Sequence, residues 1–229
     1  LPVLNAGVLD LAVRAAIAFG AEVARDTHFD RKNYFYCDLP KNFQTSQYDH
    51  PFCSGGGVEL SSGAFIRLNR IHMEEDAGKT IHTDAGSLVD LNRTGVPLIE
   101  SVTEADLCSP EDAHEYLTRF REVLQFCGVS TADMGKGELR CDVNISVRPE
   151  GEEGLRTKVE VKNLNSFRHV QASLEHEIPR QITAYEAEGL GAIVQETRLY
   201  DPDREETRTM RVKEGESDYR YFPCPDLPK

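Results

Sequence analysis

The sequence predicts an α+β fold, an antiparallel β-sheet with flanking helices. Three observations predict it. Between Glu138 and Phe167, two stretches alternate apolar and polar residues with period two across a turn rich in Pro, Gly and Glu. Residues 109–127 and 166–188 repeat apolar residues at helical spacing. Short apolar runs at 57–61, 64–73, 87–100 and 192–222 read as further strands.

The Glu138–Phe167 stretch organises the chain. Arg140, Asp142, Asn144, Ser146 and Arg148 alternate with Cys141, Val143, Ile145 and Val147. After the turn, Lys158, Glu160 and Lys162 alternate with Val159 and Val161. This reads as a hairpin with one apolar and one polar face. Its polar face carries Asp142 and Glu160 among Arg140, Lys158 and Lys162. Carboxylates interleaved with cations suit a site that holds a metal ion and phosphates together. They equally suit a solvated face whose charges pair across strands, and the pattern alone leaves both open.

In chain order, residues 5–19 predict a helix capped by Asn5 and ended by Gly20, burying Val8, Leu9, Ala12, Val13, Ala16 and Ile17. Residues 29–51 predict a structured loop with a short strand at Tyr34–Tyr36. Its aromatics beside Arg31 and Lys32 suit stacking on a base or ribose, or simply pinning the loop. Ser54–Gly57 reads as a turn, since it lacks the Gly-Lys-Ser/Thr ending of a phosphate loop. Glu74, Glu75 and Asp76 close the strand at 64–73, with Lys79 following and His72 on the face of Glu74. Residues 87–100 predict two short strands around an Asn92–Gly95 turn.

Ser109, Pro110 and Asp112 start the first long helix, and Ala113, Tyr116, Leu117, Phe120, Val123 and Leu124 form its core stripe. The second buries Phe167, Val170, Leu174, Ile178, Ile182 and Tyr185, with Pro179 expected to kink or break it. Two last strands, running to 214, flank an Asp201–Glu205 turn.

A chain of 229 residues suits one large domain or two small ones. Its net charge of -13 repels nucleic-acid phosphates, so the main grip on RNA is not expected from these residues. The same acidity favours cations. Six cysteines form no CxxC pair, which leaves no visible zinc set and suits a reducing, cytosol-like compartment. No apolar run approaches the roughly 20 residues of a membrane span, and no signal peptide is visible. The first residue, Leu1, begins in mid-pattern, so a fragment of a longer protein is expected.

The stretches LPVLN, FDRKNYFYCDLPKNFQTSQYD, HMEEDAGK, SLVDLNRTGVPLIE, GELRCDVNISVRP, KVEVKNLNSF, QETRLYD and VKEGESDYRYFPCPDLP resemble, in order, the GatB/GatE family, which supplies the B subunits of tRNA-dependent amidotransferases. The resemblance implies a glutamine synthetase-like cradle fold over residues 1–229. It also implies a reaction: ATP-dependent phosphorylation of the side-chain carboxylate of misacylated Glu-tRNA(Gln) or Asp-tRNA(Asn), then amidation by ammonia. The implied partners are an amidase (the A subunit), which releases the ammonia from glutamine, a small C subunit, and the tRNA acceptor end. The implied setting is the bacterial cytoplasm or an organellar matrix.

On this chain the resemblance implies Mg²⁺ ligation by Glu75, Asp142 and Glu160, and phosphate contacts from Arg140, Lys79 and Lys162. It makes Arg220 and Tyr219 candidates for the cofactor or the acceptor end. The rival readings are an archaeal E-type protein of the same family and a non-catalytic acidic, cation-binding scaffold. The family's Gly-Leu-Glu-Val-His strand, zinc knob, helical domain and tail are not found in this sequence. The segment between Gly57 and Phe65 is shorter than usual, and Cys37 and Cys224 stand where proline and an acidic residue are common. The piece alone is therefore expected to be inactive.

Overall fold

The structure, a computed structural model, describes residues 2–212 and 218–227. In chain order they form α1 (Ala6–Ala18), β1 (Glu22–Val23), β2 (Asp30–Asn33), β3 (Phe43–Ser46), β4 (Cys53–Ser54), β5 (Gly57–Glu59), β6 (Phe65–Glu75), β7 (Lys79–Thr83), β8 (Gly86–Asp90), β9 (Pro97–Thr103), α2 (Pro110–Phe126), β10 (Cys141–Ile145), β11 (Val159–Leu164), α3 (Phe167–Glu188), β12 (Glu196–Asp201), β13 (Glu206–Val212) and β14 (Phe222–Pro223). The end of the last predicted strand, at 213–214, lies outside the described residues. The elements fall into two compact units, one drawn from Leu1–Asp106, Phe126–Val129 and Ser217–Lys229, the other from Leu107–Gln125 and Ser130–Glu216.

The first unit is built around β6. This strand pairs antiparallel with β5 near its start, with β4 at Arg70–Ile71, and with β9 from Leu68 to Glu75. Strands β14, β2 and β3 form a second sheet, and β7 with β8 a hairpin. Ile66, Leu68, Ile71 and Met73 of β6 are buried, as are Phe52 and the alanines at 12, 15 and 16 of α1. Asn5 caps α1 by accepting from the Gly7 amide at 2.8 Å. The buried face of α1 is its alanine side, whereas the expected core residues Leu9 and Ile17 are exposed. Gly56 has a φ of +76°, and a Cβ there would lie 2.3 Å from the Phe19 carbonyl oxygen, so the connection between β4 and β5, which packs against the end of α1, needs glycine.

Three expectations change in this unit. The short strand lies at Asp30–Asn33, not Tyr34–Tyr36, because β2 pairs in register with Phe43–Ser46 and the chain turns beyond it, with Asn42 at a φ of +60°. The strands flanking the Asn92–Gly95 turn join different partners, β8 with β7 and β9 with β6. Strand β6 extends through Glu74 and Glu75, placing those acids on the sheet.

The second unit carries a four-stranded sheet in the order β10-β11-β12-β13. The outer pairs are antiparallel, as expected. The central pair, β11 with β12, is parallel, because α3 returns the chain to the same end of the sheet before β12 begins. Ser166 caps α3 through the His169 amide, and Asp112 donates its amide to Ser109 at the start of α2. Helix α3 runs through Pro179 without a break. The carbonyl that loses its partner there belongs to Glu175, an exposed residue that water can reach.

The buried face of α3 differs from the expected stripe. It includes Phe167, Val170, Ser173, Leu174, Glu177 and Gln181, whereas Ile182 is 43% exposed. Glu177, at 0% exposure, tolerates burial because cations and donors surround it. Arg180 reaches it at 2.8 and 2.9 Å, Arg198 at 3.1 Å and Gln181 at 3.2 Å, and the Thr207 hydroxyl also donates. These contacts tie α3 to β12 and β13. Burial pushes the Glu177 carboxyl up, but the donors from Arg180 and Thr207 outweigh it and hold the group below the ordinary 4.5.

Two outcomes are expected. Glu177→Ala removes the buried acceptor shared by Arg180, Arg198, Gln181 and Thr207 and lowers unfolding free energy by about 3–5 kcal/mol in urea titration. A depressed carboxyl adds stability that is present above its unfolded pKa and lost as pH falls through the folded one. The wild-type acid limb below about 4.5 is therefore steeper than that of Glu177→Gln.

Candidate functional site

In the second unit the pleat of β10 and β11 separates the two faces. Val143 pairs with Val161 and Ile145 with Val159, and Ile145, Val159 and Val161 are buried. Asp142, Asn144, Glu160 and Lys162 take the opposite face. A register shift between Cys141 and Val143 brings Asp142 toward Lys162. The Lys162 ammonium contacts Asp142 Oδ2 and lies 3.3 Å from Glu160 Oε1. Burial pulls this lysine's pKa down, but Asp142 and Glu160 outweigh it and hold the ammonium above its usual range. Two carboxylates thus converge on one ammonium, which gathers the oxygen donors of Asp142 and Glu160 at one place on the sheet.

Glu160 has a further partner that local sequence could not show. It stands opposite Thr197 on the parallel strand β12, and the Thr197 hydroxyl donates to Glu160 Oε2 at 3.0 Å. Of the other hairpin residues, Arg140 is exposed and precedes β10, while Lys158 precedes β11.

In the first unit the acids gather where β6 meets β9. His72 and Glu74 share a face, and Glu100 on β9 is directly opposite His72. One ligand atom from each of the three lies within 4.8 Å of the others. His72 Nε2 is 3.5 Å from Glu74 Oε2, and its buried Nδ1 has no hydrogen-bond partner among the described residues. Sequence reasoning reached His72 and Glu74 but not Glu100, whose place depends on the β6–β9 register. The field of these acids reaches nearby phenols. Burial, with Asp38 and Glu74, pushes Tyr34 up to about 12, and burial, with Tyr219 and Glu74, raises Tyr221.

Glu75 points to the other face of β6, where it contacts the Lys41 ammonium and accepts from the Thr45 amide at 2.8 Å. Lys41 carries no local sequence signal for this role; it sits just before β3, and only the fold of that loop brings it to Glu75. Lys79 is exposed at the start of β7, opposite Asp90. Tyr219 lies under the Lys32 ammonium at 4.8 Å and edge-on to Tyr34 and Tyr221. Arg220 has a φ of +46°, and its carbonyl accepts from Asn33 at 2.7 Å. These contacts anchor the 219–221 segment on β2.

Similarity to known proteins adds an independent line. The family model described as the GatB/GatE catalytic domain matches residues 1–229. The chain belongs to this family. Among curated proteins it is 53% identical to the B subunit of the aspartyl/glutamyl-tRNA(Asn/Gln) amidotransferase of Anaeromyxobacter sp. (strain Fw109-5), over 100% of this chain and 48% of that protein. It is 53% identical to the protein of the same name in Streptococcus suis (strain 05ZYH33), with the same coverage. Against that of Persephonella marina the identity is 54%, over 99% of this chain and 48% of the relative. The chain thus spans about half the length of these relatives. As a GatB/GatE catalytic domain, it keeps both acidic groups on sheet elements rather than on loops.

A cavity of about 750 Å³ in the second unit, between α2, the 131–136 loop and the start of α3, is lined by none of these site residues.

The shared ammonium is open to a direct check. A double-mutant cycle of Lys162→Met and Glu160→Gln, read by denaturant midpoint, is expected to give a coupling of about 1 kcal/mol. A coupling near zero would show that Glu160 does not hold the lysine.

Proposed function

We propose that this chain is the phosphoryl-transfer and amidation body of the B subunit of a tRNA-dependent amidotransferase. The observation that carries the reading is its 53% identity, over its full length, to proteins bearing that name. In the proposed reaction a carboxylate oxygen of the Glu or Asp side chain on misacylated tRNA attacks the γ-phosphorus of ATP. ADP leaves, and the acyl phosphate has a carbonyl that ammonia can attack. Phosphate then departs as the amide forms. The ammonia comes from glutamine through a partner amidase, and a small third protein completes the assembly.

Glu75 in the first unit, and Asp142 with Glu160 in the second, are proposed as oxygen ligands for Mg²⁺. The donor chemistry fits, because Asp142 and Glu160 bring carboxylate oxygens, the ligands magnesium takes, to one place, where the ion would share them with the Lys162 ammonium. Within the first unit, the His72, Glu74 and Glu100 group gathers ligand atoms of its own. Magnesium, when bound, neutralises charge on the phosphoryl group in flight. The protein's own contribution is positional. Lys162, kept charged between two carboxylates, is proposed as a donor to phosphate oxygens. Arg140 and Lys79 are proposed for the same duty, and Tyr219 and Arg220 for the nucleotide or the acceptor end of tRNA.

The net charge of -13 supports a division of labour in which the main grip on tRNA lies outside these residues. No helix among the described residues is long and apolar enough to cross a membrane. We place the protein in the cytoplasm, or in the matrix of an organelle.

The test is ATP-dependent amidation of Glu-tRNA(Gln) and Asp-tRNA(Asn) by the full-length protein with its partners. Glu75→Ala, Asp142→Ala and Glu160→Ala are each expected to lower kcat by about 10²-fold or more. Wild-type rates in all three would remove the site assignment.

A further inference from the structure

We propose that Thr197 is a positioning residue for the Glu160 carboxylate, fixing which of its two oxygens faces the Lys162 ammonium. The inference rests on the reading above, in which Glu160 belongs to the working site.

Four observations support it. First, Glu160 and Thr197 are direct partners on the one parallel strand pair of this sheet, so their side chains rise from the same face. Second, the Thr197 hydroxyl donates its single proton to Glu160 Oε2 at 3.0 Å, while Oε1 lies 3.3 Å from Lys162 Nζ. The two oxygens are therefore distinguished: one is held by a hydroxyl, the other is left toward the cation. Third, Thr197 is fully buried at 0% exposure and branches at Cβ, so its own rotamer is restricted.

Fourth, the residue beside Thr197 is held by several partners. The next residue, Arg198, bonds Glu196 at 2.7 Å, Glu177 at 3.1 Å, and the hydroxyl and carbonyl oxygens of Thr207 at 2.8 Å each. The β12–β13 register shifts between Thr197 and Arg198. The buried Glu177 network thereby reaches the site through one residue. It holds Arg198, Arg198 holds the strand, and Thr197 delivers a fixed hydroxyl to one oxygen of the Glu160 carboxylate.

A hydroxyl that only filled space would be replaceable by a methyl group. One that orients a functional carboxylate would not, because partners of this kind behind a site typically change metal affinity or activity by about 10–100-fold. Thr197→Val keeps the shape and removes the donor; Thr197→Ser keeps the donor and removes a methyl.

The experiment measures ATP-dependent amidation by the full-length protein in its complex, as a function of Mg²⁺ and of ATP, alongside thermal unfolding. Thr197→Val is expected to unfold near the wild-type temperature, to lower kcat by about 10–100-fold, and to raise half-saturating Mg²⁺ about 10-fold, with little change in KM for ATP. Thr197→Ser is expected to restore kcat to within about 3-fold of wild type. If Thr197→Val does not accumulate as folded complex, Thr197→Ala carries the same comparison with Thr197→Ser. Wild-type kcat and Mg²⁺ dependence in the hydroxyl-free variant, with Glu160→Ala inactive, overturns the positioning role and leaves the site reading intact. Activity in Glu160→Ala overturns the site reading itself.

Discussion

The register of one hairpin controls the chemistry available to the second unit. Val143 against Val161 and Ile145 against Val159 put apolar residues on one side of the sheet, and the pleat then sends Asp142, Glu160 and Lys162 to the other. A slip of one residue would turn the valines out and the charges in. The cost of burying those charges without partners is what holds the register. The position of the ammonium, the pairing of Glu160 with Thr197 and the strand order beyond follow from that alternation.

Charge is handled differently in three places. Glu177 is taken wholly out of water and is matched by Arg180, Arg198, Thr207 and Gln181. Glu160 is partly covered and shares its lysine with Asp142. His72, Glu74 and Glu100 crowd together with a buried ring nitrogen that has no hydrogen-bond partner among the described residues. The first arrangement is a satisfied structural network. The third gathers two carboxylates around one imidazole.

Features set by neighbours in sequence could be read from the sequence. Asn5, Ser109 and Ser166 cap helices through side-chain contacts two or three residues away. The period-two alternation of 141–145 and 159–162 identifies the hairpin and the side its acids take. What escapes such reading depends on contacts between distant segments. Glu100 meets His72 only through the β6–β9 pairing, and Thr197 meets Glu160 only through a parallel pair, which has no turn signal. The stripe of α3 departs from expectation because Glu177 and Gln181 look like surface residues until Arg198 and Thr207 are brought beside them. Tyr34–Tyr36 looks like a strand from its aromatics, but pairing with β3 selects Asp30–Asn33 instead.

The crossover from β11 through α3 to β12 also has a kinetic side. Thr197 is 37 residues from Glu160, and the whole helix lies between them. The hairpin β10–β11 closes a shorter loop and can zip locally, whereas β12 docks only after that longer segment has been ordered. During synthesis the ribosome releases Glu160 before the strand that steadies it. The carboxylate therefore acquires its final setting late, and a nascent chain interrupted before β12 displays the acids without the support that orients them.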